Sequence, residues 1–200
     1  MDVAMLSERR LDALREIGNI GSGHAASALS DLLQRRIDMS VPKVWMIPFE
    51  QIAEVAGGLE ESQAFIYLHV DGEISGKAVF LFSIPSAHAL VKELFHTDQE
   101  LDLFDELPQS ALKEVGNILV SSFLVALSQL SGIEMQCSIP VMAVDMAGAV
   151  LGAILLEEGE IEDHVLFIDT ELFGFPAIEG KFVFLPQQGA LEKLLGALGV

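Results

Sequence analysis

Cysteine is almost missing from this chain. A single thiol, Cys137, in 200 residues cannot close a disulfide within the chain, and it fits a reducing cytoplasm. Its expected place is that of a small buried apolar residue on a strand. Positive charge is scarce as well. Eleven Lys and Arg stand against 30 Asp and Glu, for a net charge of −19. That balance argues against nucleic acid and against an anionic membrane surface. It favours a partner that presents cations at its docking site. No apolar run reaches the roughly 20 residues that a membrane span needs. The longest, Val141 to Leu156, is interrupted by Asp145. The opening MDVAMLSERR has neither a basic n-region nor an apolar h-region, so no secretion signal is expected.

Familiar catalytic motifs are missing too. There is no Gly-x-Ser-x-Gly elbow and no P-loop. The run Gly21-Ser22-Gly23-His24-Ala25-Ala26 matches a dinucleotide fingerprint. It follows helical rather than strand sequence, however, and has no acidic residue about 20 positions on in a second strand. The histidines His24, His69, His88, His96 and His164 lack an i,i+4 partner or a Cys companion, so no metal site is expected. The acidic stretches 98–106 and 157–163 lack the spacing of an EF-hand and read as loops.

What is present is a repeat. The stretch Asp12 to Pro42 returns without a gap as Ser110 to Pro140, at a constant offset of 98 residues. Glu16 matches Glu114, Asn19 matches Asn117, and Pro42 matches Pro140. Ala13, Leu14, Gly18, Ile20, Ala28, Leu29 and Ser40 recur at that offset, as does Leu32, which with Leu130 is expected in the core. Gly76-Lys77 and Val79-Phe80-Leu81 return as Gly180-Lys181 and Val183-Phe184-Leu185. Pro85, Ala89, Leu90 and Lys92 return as Pro186, Ala190, Leu191 and Lys193. Half of the residues are hydrophobic and the mean hydropathy is +0.46, which suits a packed fold. The expectation is one domain, 1–200, made of two repeats, 6–96 and 107–198.

The pattern predicts a long helix over 6–34, with Ser7 as its N-cap. A strand over Arg35–Pro48 follows, with Pro42 at an edge or bulge. Phe49–Ala56 reads as a short helix stopped by Gly57-Gly58. Strands are expected at Ala64–Val70 and Lys77–Ser83, turning at Asp71-Gly72. A helix over Pro85–Phe95 has Pro in its first turn, and Thr97–Pro108 connects the halves. Leu107–Ser131 repeats the long helix and Ile133–Met142 its strand. Asp145–Leu156 is read as a short helix running into a strand. Strands Val165–Thr170 and Lys181–Leu185 and a helix Gln187–Leu198 complete the chain. The predicted class is α+β: an antiparallel sheet shared by both halves, with the two long helices packed on one face and a pseudo-twofold between them.

On a helix, positions 12, 16, 19 and 23 form one stripe. Leu14, Ile17, Ala25, Ala28 and Leu32 fall elsewhere, as a core face should. Glu16 and Asn19 then stand exposed, one turn apart. Such a pair alone is also what a solvated helix face looks like. Its recurrence as Glu114 and Asn117 is what makes it a candidate site. Asn inside a helix costs roughly 0.5 kcal/mol against Ala, and Gly about 1 kcal/mol. Both penalties fall at the same point of both copies, at Gly18-Asn19 and Gly116-Asn117. A glycine beside the polar pair is expected to let another backbone approach.

The pattern Asp/Ser-x3-Glu-x2-Asn-x22-Pro resembles the signature of the CheC/CheX/FliY family of chemotaxis phosphatases. It occurs as Asp12-x3-Glu16-x2-Asn19-x22-Pro42 and as Ser110-x3-Glu114-x2-Asn117-x22-Pro140. The resemblance covers essentially the whole chain. No residues remain after Val200 for the switch domain that FliY-like members add. The resemblance implies a phosphatase acting on the aspartyl phosphate of the phosphorylated regulator CheY. Asn19 and Asn117 would align the attacking water, and Glu16 and Glu114 would pair with a lysine of the regulator. Asp12 and Ser110 would support them or be only solvated residues near the helix start. Any Mg²⁺ would belong to the regulator, with no cofactor held by this chain. The chemistry is consistent with that. An amide cannot take a proton at neutral pH but can orient a water, which suits a reaction limited by positioning. Two alternatives stay open. One is a module that binds the receptor deamidase CheD, since Val144-Asp145-Met146-Ala147 resembles that docking region; Asp145 there is either an exposed contact or a helix cap. The other is a flagellar switch component. A cytoplasmic monomer is expected, the duplication standing in for a dimer.

Overall fold

Two helices of equal length frame the chain: α1, Glu8–Leu33, and α4, Glu106–Ser131, 26 residues each and 98 apart at both ends. The structure, a computed structural model, describes residues 8–55, 57–158, 162–173 and 178–200. Ser7, expected as the N-cap of α1, lies outside them. After α1 come β1 (Asp38–Pro48), a 3-10 turn at Phe49–Gln51, α2 (Ile52–Val55), β2 (Ser62–Gly72), β3 (Gly76–Ser83) and α3 (Ile84–Phe95). After α4 come β4 (Met135–Cys137), β5 (Val141–Met146), α5 (Ala147–Glu158), β6 (His164–Phe173), β7 (Ile178–Pro186) and α6 (Ala190–Ala197).

The strands form one antiparallel sheet in the order β1-β6-β7-β3-β2-β4, with β5 also on β2. Exchanging β1 with β4 and β5, β2 with β6, and β3 with β7 reads that order backwards. The central β3–β7 register obeys the same exchange: Val79 pairs with Val183, its counterpart in the repeat, and Lys77–Leu185 mirrors Leu81–Lys181. The local twofold therefore passes through the Val79–Val183 pair. α1 and α4 end alike as well, at the left-handed residues Gln34 (φ 52°) and Gly132 (φ 70°).

Side chains alternate across the sheet. One set, with Ile66, Phe80, Phe82, Ile168, Phe182 and Phe184, packs against α1, α3, α4 and α6. The other, with Phe65, Val79, Leu81, Phe167 and Val183, packs under α2 and α5. The long helices do share one face, as expected. The opposite face is covered too, which explains why β3 is buried along nearly its whole length, Lys77 included, rather than alternating.

Several expectations need correction. Asp71-Gly72 does not form the β2–β3 turn. It extends β2 and pairs with β4, while residues 73–75 make the turn; Gly72 has φ +133°, and a Cβ there would meet the Glu134 carbonyl. The predicted strand over 133–142 is two strands, interrupted at 138–140 around Pro140, because proline has no N–H for a ladder. β1 stays continuous and takes a register shift between Ser40 and Lys43, where Pro42 falls. Asp145 lies within β5, which ends at Met146, instead of opening a helix, and α5 does not run into a strand. Pro186 closes β7, and α6 starts only at Ala190. Leu32 and Leu130 are exposed, at 42% and 37%, while Leu29, Leu33 and Leu127 are buried in their place. Cys137 is exposed on β4.

By length and composition α4 could cross a membrane, a possibility the apolar-run argument passed over. Its apolar residues Val115, Leu119, Phe123 and Leu127 are instead wholly buried in the protein core.

Candidate functional site

α1 is anchored from behind. Leu14, Ile17, Ala25 and Leu29 are at most 1% exposed, at the spacing of a helix face packed on a core. The opposite stripe holds Asp12, Glu16, Asn19 and Gly23, all exposed. α4 repeats this arrangement. Leu112, Val115 and Leu119 are buried, Ser110 and Glu114 are exposed, and Asn117 is half-buried. A helix fixed by a close-packed core presents such a pair with little freedom beyond its own rotamers.

The glycines beside the pair face inward. A Cβ on Gly116 would lie 2.4 Å from Ile66 Cγ2, and one on Gly18 would lie 3.0 Å from Val41 Cγ1 and 3.1 Å from Val44 Cγ2. Their small size seats the helices on the sheet. It does not open a path for a partner's backbone, contrary to the expectation above. Gly21 does the same between the helices, since a Cβ there would meet Phe123 Cδ1 at 2.4 Å.

The two asparagines stand in separate clefts that share no lining residue. Asn19 opens into a cleft of about 490 Å³ between α1 and the edge strand β1, lined by Arg15, Val41, Lys43, Val44 and Trp45. Asn117 opens into a groove of about 380 Å³ between the two long helices, with His24 and Ala28 from α1 and Ile118, Ser121, Ser122 and Val125 from α4. Neighbouring hydroxyls differ as well. Ser121 Oγ lies 3.5 Å from Asn117 Oδ1, at the outer limit of a hydrogen bond. Ser22 Oγ donates to the Asn19 backbone carbonyl at 2.9 Å. Asp12 is held by Arg15 in an exposed pair at 3.2 Å.

Nothing in the repeat pointed to Lys43, Trp45 or His24, because their counterparts at the 98-residue offset are Val141, Ala143 and Ser122. Next to Lys43, Asp169 sits in register with Lys43 on one side and Lys181 on the other. Burial pushes its carboxyl above the usual value of 3.8, against the pull of the two lysines. Among the described residues, no cluster of three or more His, Cys, Asp and Glu gathers as a metal site would need.

Asp145 lines neither of these clefts. It is the penultimate residue of β5, opposite Gln63, and its Oδ1 accepts the Met146 N–H at 2.8 Å. It borders a mostly apolar groove of about 340 Å³ between β5 and α5, with Tyr67, Val144, Val150 and Ile154.

This fold, one antiparallel sheet with paired long helices on one face, is shared with FliY of Thermotoga maritima, a chain 22% identical with a TM-score of 0.77 over 98% of both chains. That likeness defines the fold class. A family model described as CheC-like matches residues 10–46 and 108–142, which are the two signature segments. The chain is 35% identical to the CheY-P phosphatase CheC of Bacillus subtilis, over 97% of this chain and 96% of that one. It is 24% identical to a putative CheY-P phosphatase, CheC1, of Halobacterium salinarum, over 97% and 98%. The protein belongs to the CheC-like family.

Proposed function

We propose that this protein is a chemotaxis phosphatase that hydrolyses the aspartyl phosphate of the phosphorylated regulator CheY, using Asn19 and Asn117. The observation that carries the reading is the repeated Glu-x2-Asn pair, presented outward on two rigidly packed helices, each amide beside a cleft. Membership of a family with a relative named as a CheY-P phosphatase supports it. The amide of Asn19 or Asn117 accepts a hydrogen bond from a water and donates one toward the phosphoryl group. The water oxygen attacks phosphorus in line, the bond from phosphorus to the aspartyl oxygen breaks, the carboxylate leaves with its electron pair, and the water's protons stay on the released phosphate. An acyl phosphate is already activated, so orientation supplies most of what is needed. Glu16 and Glu114 hold a lysine of the regulator and so set the approach angle. Mg²⁺ arrives bound to the regulator. Asp12 and Ser110 act only by shaping the helix surface. The reading implies a cytoplasmic protein.

Decay of acyl-phosphorylated CheY with Mg²⁺ is the test, comparing wild type, Asn19→Ala, Asn117→Ala and the double variant. Each single change should slow its own site roughly 10²–10³-fold, and the double variant should leave only the intrinsic decay. A double variant as fast as wild type would refute the assignment.

A second surface fits docking of CheD. Among the described residues β5 pairs on one side, with β2, and it leaves Val141, Asp145 and Met146 exposed. An edge strand with apolar side chains is a template for another chain. Asp145→Lys should then weaken CheD capture without changing the phosphatase rate of the protein alone.

A further inference from the structure

The exposed stripe of α4 has apolar residues at both ends. Leu107 is 69% exposed and Val125 45%. On a helix of 3.6 residues per turn, Leu107, Glu114 and Val125 point within about 20° of one another. Ser110, Asn117 and Ser121 lie alongside them. Leu107 and Val125 are then about 27 Å apart along the axis, with Glu114 and Asn117 between them. Val125 also lines the Asn117 groove, as does the half-buried Ile118. A lone exposed leucine is ordinary. Two exposed apolar residues in line with Glu114, one on each side of it, make a surface.

The matching stripe of α1 has no such surface. It exposes Asp12, Glu16, Asn19, Gly23 and Ser27, none with an apolar side chain. At the 98-residue offset Leu107 corresponds to Arg9 and Val125 to Ser27. The polar pairs match while the residues that flank them do not.

We propose that Leu107 and Val125 form an apolar docking surface for the phosphorylated regulator, and that the Asn117 site therefore binds its substrate more tightly than the Asn19 site. The inference rests on the phosphatase reading above, which sets the regulator against Glu114 and Asn117. Leu107 and Val125 continue that contact along the same stripe. The occupant is a regulator face with apolar side chains on both sides of the lysine that Glu114 holds. A span of about 27 Å suits a single partner, since a standard interface covers about 800 Å² on each side. Apolar contacts on both sides of an ion pair exclude water from it and so strengthen it.

The test separates the sites. Decay of acyl-phosphorylated CheY with Mg²⁺ is followed with the Asn19→Ala protein, where only the Asn117 site works, and with the Asn117→Ala protein, where only the other works. The first should have the lower KM. In it, Leu107→Ser and Val125→Ser should each raise KM about five- to tenfold. Its kcat should stay within about twofold, because the lost contacts are made equally in the ground and transition states. In the Asn117→Ala protein the same changes should stay within about twofold, since they lie on the other helix. The rise in KM should be the same at about 0.05 and about 0.5 M NaCl, because apolar burial is not screened. Leu130→Ser removes an exposed leucine about 140° away around α4 and should alter neither protein. Leu107 and Val125 are exposed, so melting temperatures should match those of the parents. Equal rises in both proteins, a fall in kcat in place of a rise in KM, or an Asn19→Ala protein that is inactive beside an active Asn117→Ala protein would overturn the proposal. So would a wild-type dimer in sedimentation that Leu107→Ser makes monomeric, which would assign the surface to a second copy of the chain. If both parents speed decay and Leu107 and Val125 are silent, this inference alone fails. If neither parent speeds decay, the phosphatase reading fails and takes this inference with it.

Discussion

Asn19 and Asn117 occupy matching turns but differ in setting. Asn19 is exposed beside a cationic, aromatic cleft; Asn117 is half-buried beside His24, serines and Val125. At this scale the repeat made the polar pairs legible, but not the repeated Leu32 and Leu130, which are exposed rather than in the core. Glu16, Asn19, Glu114 and Asn117 all stand outward, as the helical stripe predicted. The sequence was illegible where one copy differs from the other, because Lys43 and His24 are brought to the clefts by neighbouring elements. Cys137 shows another limit of single-residue reasoning. Its type favours burial, yet β4 is a three-residue edge segment and leaves it exposed. Partial desolvation, with the nearby Asp71 carboxylate, pushes its thiol above the ordinary value of 9.0. The thiolate is the reactive form, so a raised pKa means less of it at neutral pH. Alkylation by iodoacetamide should be slower at pH 7.5 than for a free peptide thiol, and should keep rising beyond pH 9. Asp71→Asn should speed it at pH 7.5. A rate that levels off below pH 8 would contradict this.

At the scale of elements, the two long helices were well predicted because their apolar period is long and repeated. The glycines in them were misread, because a sequence does not say which way a glycine faces. In the structure Gly116 lies against Ile66 and Gly18 more loosely against Val41 and Val44. Gly116→Ala should therefore destabilise by roughly 1–3 kcal/mol, since a Cβ would overlap Cβ and both γ-carbons of Ile66 and force overpacking. Gly18→Ala should be close to neutral. There the gain in helix propensity, about 1 kcal/mol, offsets a contact that valine side chains can relieve. Urea denaturation of both variants checks this, and equal effects would mean that the two helices are not seated on the sheet in these different ways. Strand ends were less legible. The breaks at Pro140 and after Gly72 depend on which neighbour each strand finds, and Asp145 could be placed on a strand only once β2 was seen to pair with β5.

For the whole molecule, the net charge of −19 implies self-repulsion in the compact state. Raising NaCl from about 0.05 to about 0.5 M, with Debye lengths from roughly 14 to 4 Å, should raise the melting temperature. If Glu16 and Glu114 pair with a lysine of the regulator, the same salt should lower kcat/KM by screening that attraction, so stability and activity should move in opposite directions. A melting temperature that falls with salt would mean that attractive pairs outweigh repulsion. What the sequence determined by itself was the repeat, the helical stripe, the apolar positions and the family signature. These follow from local periodicity, which 3.6 and 2 residue steps encode along the chain. Long-range packing set the palindromic strand order through Val79–Val183, the layer of α2 and α5 on the second face, and the different clefts around two identical residue pairs. Those depend on long-range pairing, where β1 and α1 converge on Asn19 while α1 and α4 converge on Asn117. The shared Glu-x2-Asn pair cannot by itself specify its surroundings, because these are made by other parts of the chain.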